Sequence, residues 1–380
     1  MAETILTNAC LVLSDEVVRG TLVWRDGEIT DVGSGASAVP GAVDCEGDYV
    51  LPGLVELHTD NVERHMMPRP GSVWPTSAAI VNHDRELASV GITTVFDALT
   101  IGDFSTSQIR IALSKEFCPT LGALAQAGAL KVDHKVHLRC ELSSGSLLDL
   151  LETMFDRPEV GLVSVMDHTP GQRQFAKIEK YRQYYQGKFH MTDEAFEVFY
   201  AERVEDQKTY GELNRRTVVA KSKELGLPLA SHDDATTDHV DEAIRDGVVL
   251  AEFPTTMEAA QASSKGGLAV LMGGPNLVRG KSHSGNIAAR ELATAGLLDV
   301  ISSDYVPSSL LYGAMLLARP DIGVPLHEAI AMITSRPAAT VGLSDRGTLT
   351  PGLRADVVRA REIASGPLVM DVWRGGQKIA

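Results

Sequence analysis

Residues 51–71 read LPGLVELHTDNVERHMMPRPG. An apolar run, Leu54-Val55-Glu56-Leu57, gives way within a few positions to His58, Asp60, Asn61, Glu63, Arg64, His65 and Arg69. A chain that ends a buried strand in so many ligand-type and anion-binding side chains is leaving a core and entering a site.

Comparable short apolar runs fall at 93–98, 136–142, 162–168, 228–232, 248–253, 269–273 and 299–304, giving eight with 54–58. Helical patterns such as SSGSLLDLLETMF and DHVDEAIRDG lie between most of them. Strand and helix alternating eight times is the sequence form of a (β/α)8 TIM-type barrel, so the fold class is α/β. The first fifty residues are instead strand-rich (ILTNACLVL, GTLVWRDGEITDVG), with Asp26-Gly27 as a hairpin turn signal. RADVVRA and GPLVMDVWRGGQKI give the C-terminus the same character. The two ends predict one small β-sandwich domain, 1–51 with 343–380, around a barrel of 52–342. Between them 172–225 is too long for a single crossover helix and predicts two or more, with Thr192-Asp193-Glu194 as a helix start. The plainer reading of this excursion is an inserted helical segment, a place for a subunit interface if the protein is a homodimer; the sharper one is a lid over the site.

The chain has 380 residues, 44% hydrophobic and 22% charged, ordinary values for a globular protein. No apolar stretch reaches transmembrane length, and MAETILTNAC has no basic region followed by an apolar one, so neither a span nor a signal peptide is expected. Four scattered cysteines without a C-x-x-C suit a reducing cytoplasm and argue against a disulfide framework. A formal net charge of −15 argues against nucleic-acid binding. It leaves room for an anionic small molecule, because metal ions and a few arginines can make one pocket positive.

Five strand ends share a property. GLVELHTD ends in His58 and Asp60, KVHLRCE in Glu141, GLVSVMDH in His168, LPLASH in His232 and DVISSD in Asp304. In a barrel these ends converge on one mouth. Imidazoles with carboxylates suit one or two divalent ions, Zn²⁺ first, with Fe²⁺, Mn²⁺ or Ni²⁺ also compatible. Each residue alone has a plainer reading: a surface or satisfied core histidine, a helix N-cap at Asp304, an ion pair of Glu141 with Arg139. Jointly, ligand types at one end of five strands point to a metal site. His137 shares the parity of Glu141 and reads as a buried neighbour below the site.

The segments LPGLVELHTD, the separate His168 and His232, Asp304 in ISSDY and the closing DRGTLTPGLRADVV resemble the amidohydrolase superfamily. The resemblance covers nearly the whole chain, with two departures. His58-x-Asp60 stands where a histidine pair is usual, and Glu141 stands where a carboxylated lysine often bridges the ions. Those departures, with HTDNVERHMMPRPGSVWP, HLRCELS, MDHTPGQRQF, ASHDDAT and MGGPNLVRGKSHSGN, are similar to one subfamily of phosphonate catabolism. Its members act in the carbon–phosphorus lyase pathway, hydrolysing α-D-ribose 1-methylphosphonate 5-triphosphate to the 5-phosphate and pyrophosphate. The resemblance implies His58, Asp60, Glu141, His168, His232 and Asp304 as metal ligands. It also implies attack by metal-activated water on the α-phosphorus, with Asp304 as general base. Arg64, His65, Arg69, Arg173, Arg279, Lys281 and His283 are the candidate phosphate-binding groups, each otherwise a solvated surface charge. Lys177 is a weaker candidate. No Walker loop is present. The competing readings are an amidohydrolase cleaving a C–N bond (cyclic amidase, deaminase or N-acyl amino acid deacylase) and a non-catalytic scaffold, the latter expected to have lost ligands.

Overall fold

The computed structural model describes residues 3–69, 71–102, 108–175, 178–282 and 285–380. His283 and Lys177 lie outside them. Eight parallel strands stand side by side in chain order: Leu54–Thr59, Ile92–Ile101, Asp133–Glu141, Val160–Met166, Leu229–His232, Leu250–Glu252, Ala269–Gly273 and Val300–Ser302. The first is buried at every position, as a parallel strand covered on both faces must be. The sheet closes on itself where Thr59 bridges Asp304, with the Asp304 amide donating to His58 O at 3.1 Å. Val55, Leu57, Phe96, Leu162, Ala230, Leu250, Leu271 and Val300 fill the interior, so the barrel is a packed core rather than a pore.

Local signals place the helices. Thr236 and Thr256 cap helices Thr237–Asp246 and Met257–Lys265 by accepting from the amides three residues on, and Gly247 ends the first in left-handed backbone. Thr192 does the same for Asp193–Leu225, the long helix of the excursion after the fourth strand. Its partner is Ile178–Phe189, packed against it through Tyr181, Tyr185 and Phe196. The Asn214 amide ties the long helix to the barrel by donating to Leu142 O and Ser144 O.

The terminal segments form one eight-stranded mixed sheet, with Val357–Ile363 antiparallel to Tyr49–Pro52. Asp26 and Gly27 both take positive φ, the requirement of the tight hairpin turn that their sequence signals. The sheet curls until Trp24 meets Trp373 edge-on, with centroids 5.4 Å apart, enclosing a core of Leu6, Leu22, Ile29 and Val357. Arg346, Arg354 and Arg374 converge on Asp133, at the start of the third barrel strand, and fasten the sheet to the barrel floor.

Between the second and third strands His134 sets one ring nitrogen 2.7 Å from Asp97 and the other 3.3 Å from Asp84. Two carboxylate acceptors require an imidazolium. Burial opposes it, but Asp97 and Asp84 push the pKa up to about 9. A raised histidine pKa stabilises the fold fully below the unfolded value of about 6.5 and less as pH rises towards 9. Thermal melts should show a decline on the order of 2–3 kcal/mol across that window. His134→Gln should remove the decline; an unchanged slope would show that His134 is not charged.

Candidate metal centre and active site

The C-terminal ends of the strands enclose a cavity of about 360 Å³. His58, Asp60, Arg139, Glu141, His168, His232, Asp233 and Asp304 line it, together with Arg279 and Lys281 from beyond the seventh strand. Ligand candidates from the first, third, fourth, fifth and eighth strands therefore do face one volume. The backbone is held in left-handed φ where the fifth, sixth and eighth strands end, at Asp233, Phe253 and Asp304. Such conformations cost about 1–3 kcal/mol each and collect where side chains must be aimed.

Each central imidazole has a carboxylate on its Nδ1. His58 Nδ1 is 2.9 Å from Glu252 Oε1, His168 Nδ1 is 2.6 Å from Glu141 Oε2, and His232 Nδ1 is 2.7 Å from Asp233 Oδ2. A carboxylate accepting at Nδ1 fixes the proton there and leaves the Nε2 lone pair for a cation, the usual support of a metal-binding histidine. His232 Nε2 is buried without a hydrogen-bond partner, as is Glu252 Oε2. Ligand atoms from His58, His232 and Glu252 lie within 4.8 Å of one another, and so do atoms from His168, His232 and Asp233. These two overlapping groups fit divalent ions.

The electrostatics agree. Burial and Arg139 hold the His58 pKa well below its ordinary value, so its imidazole is neutral, the form that ligates. At His168 burial is outweighed by Glu141 and Asp233, which push the pKa up to about 10. Burial, then Asp60, pushes the Asp304 carboxyl up to about 7.

Sequence reasoning did not pick out Glu252 or Asp233 as functional, though both signals were available. Glu252 ends the sixth strand just as Glu141 ends the third, and Asp233 directly follows His232. Arg139 was read only as a partner for Glu141. His137 lies below the site as expected, its Nδ1 donating to Leu57 O at 3.0 Å. Of the expected ligands, Asp60, Glu141 and Asp304 stand outside both groups; Glu141 is turned to His168 Nδ1, and Asp60 Oδ2 is 3.9 Å from Arg139 Nη1.

The expected cations divide. Arg279 and Lys281 line the cavity. Arg64 and His65 do not: helix Asn61–Met66 turns them to Glu86, at 3.4 and 2.7 Å. Arg69 is exposed and also off the cavity wall. Arg173 is buried against Asp234 and Glu242. The first helix of the excursion contributes Tyr184 and Tyr185 to the cavity wall.

If Glu252 orients His58, Glu252→Gln should weaken metal retention about 10–100-fold while leaving the fold intact. Chelator titration followed by elemental analysis measures this; retention equal to wild type would reduce Glu252 to a core carboxylate.

The chain belongs to the amidohydrolase family, whose sequence model matches residues 156–364. It is 44% identical to alpha-D-ribose 1-methylphosphonate 5-triphosphate diphosphatase of Escherichia coli (strain K12) over 376 residues, covering 99% of this chain and 100% of that one. Imidazolonepropionase of Deinococcus deserti is 25% identical over 398 residues, covering 94% and 91% of the two chains. Among solved structures, N-acetyl-D-glucosamine-6-phosphate deacetylase from Mycobacterium smegmatis superposes with a TM-score of 0.62 at 17% identity, covering 99% of this chain and 100% of that one. Dihydropyrimidinase from Brevibacillus agri NCHU1002 gives 0.61 at 13% identity, covering 99% and 95%. These structural likenesses show the shared fold. Among the described residues no helix is long and apolar enough to cross a membrane.

Proposed function

We propose that this protein hydrolyses α-D-ribose 1-methylphosphonate 5-triphosphate to the 5-phosphate and pyrophosphate, as a step of phosphonate catabolism. The observation that carries the reading is the 44% identity that runs end to end with the diphosphatase. The site is compatible with it. His58, His168 and His232 would hold one or two divalent ions, Zn²⁺ being the best match to nitrogen and carboxylate donors, with Glu141, Asp233 and Glu252 in support. When bound, such ions lower the pKa of water and offset charge on phosphoryl oxygens.

This chain's own groups supply the rest. Asp304 faces the cavity with a carboxyl near neutrality, suited to take a proton from the attacking water. Arg279 and Lys281 stand on the loop side, where they can hold the departing pyrophosphate. Tyr184 and Tyr185, on the first helix of the excursion, form part of the cavity wall.

Phosphorus NMR tests the reading. Purified protein loaded with Zn²⁺ and given the ribose triphosphate should convert its three phosphate signals into one monoester signal and the pyrophosphate singlet. Intact triphosphate, with an amine released from an amide panel instead, would transfer the protein to the C–N-cleaving branch of the family.

A further inference from the structure

We propose that Arg139 contacts the phosphoryl group under attack, and that Asp60 serves as the positioning residue for Arg139. The inference rests on the triphosphate reading above and assigns the part of the cavity that recognises the reacting phosphorus.

Arg139 lies two residues before Glu141 on the third barrel strand, so strand alternation turns both into the barrel. It lines the cavity beside His58, Asp60 and Asp304, with its side chain 15% exposed. Its Nε is buried and has no hydrogen-bond partner. The contact with Asp60, at 3.9 Å, is an ion pair too long for a hydrogen bond. A guanidinium carries five donors, and leaving one unsatisfied in a buried place is costly. A fold that tolerates this at the catalytic mouth keeps those donors for a ligand.

Charge points the same way. Asp60, Glu141, Asp233 and Asp304 face the cavity, and Glu252 stands behind His58. Glu63 lines the cavity too, so even two divalent ions would leave negative charge over before any polyanion enters. Arg139 is the cation on the barrel wall that offsets it. Arg279 and Lys281, beyond the seventh strand, are then left for the more distal phosphates. The planar fork of arginine suits two phosphoryl oxygens at once, and fixed donors aimed at developing charge act most strongly where water is excluded. Asp60 sits where the first strand passes into helix Asn61–Met66, with its carboxylate towards Arg139.

Arg139→Ala, Arg139→Lys and Asp60→Asn, as full-length zinc-loaded proteins, test this by metal content, kcat and KM on the ribose triphosphate, and tripolyphosphate affinity by calorimetry. Arg139→Ala should keep wild-type metal content and lose about 10²–10³-fold in kcat, with a smaller change in KM. Tripolyphosphate should bind it about tenfold more weakly, and Arg139→Lys should recover part of both losses. Asp60→Asn should lose about tenfold in kcat, and this loss should vanish in the Arg139→Ala background. Unchanged kcat in Arg139→Ala, or metal lost in Asp60→Asn, overturns the assignment. Should Arg139→Ala not fold, the lysine variant decides: full wild-type behaviour in both kcat and tripolyphosphate affinity counts against a shaped phosphoryl contact. If wild type releases no pyrophosphate, the triphosphate reading fails by itself, and the tripolyphosphate comparison still decides whether Arg139 binds phosphoryl oxygens.

Discussion

His168→Ala and His232→Ala are expected to lose bound metal and turnover together. Each imidazole ends a barrel strand or stands just past one, with Nδ1 fixed by Glu141 or Asp233. Removing an outer partner of such a histidine typically costs about 10–100-fold, so removing the imidazole itself should cost at least about 10³-fold in kcat/KM. His232→Ala should have the larger effect, since His232 belongs to both groups of converging ligand atoms. Elemental analysis of the purified variants, beside initial rates, measures this. Full metal content with normal rates would remove these residues from the centre.

Asp304→Asn should separate metal binding from catalysis. The Asp304 backbone is locked to the first strand: its amide donates to His58 O, and its carbonyl accepts from the Asp60 amide and from Thr59 Oγ1 at 2.7 Å. Exchanging carboxylate for carboxamide therefore leaves the loop in place. The three histidines and their carboxylates remain, so metal content should stay near wild type. An amide cannot take the proton from attacking water, and loss of a positioned base costs about 10²–10⁴-fold in kcat. An unchanged kcat would contradict the role of base. Metal lost in proportion to activity would instead make Asp304 chiefly a ligand.

Much of this site was legible because strands constrain side chains. In a barrel of parallel strands, the last residue of an apolar run must reach the mouth, and alternation decides which residues turn inwards. His58, Glu141, His168, His232 and Asp304 follow from those two facts. Glu252 follows as well, since the sixth strand obeys the same rule. Asp233 was harder, because its role depends on a left-handed residue just past the strand, which a non-glycine residue does not advertise.

The loop cations were the least legible. Arg64 and His65 follow the first strand closely, but a short helix carries them to Glu86, about twenty positions along the chain on another helix. Arg173 meets Asp234 and Glu242 across an insertion of two helices. Short-range sequence pattern does not disclose such partners. Arg139 has the inward parity of its strand, and only the geometry at Asp60 separates it from a partner of Glu141.

The most direct measurement is an anomalous-difference map from crystals of the protein as purified, collected at the absorption edge of the metal it carries. The account predicts one or two peaks at the barrel mouth, within bonding distance of the Nε2 atoms of His58, His168 and His232. Peaks elsewhere, or an active protein with no peak beside these imidazoles, would contradict it.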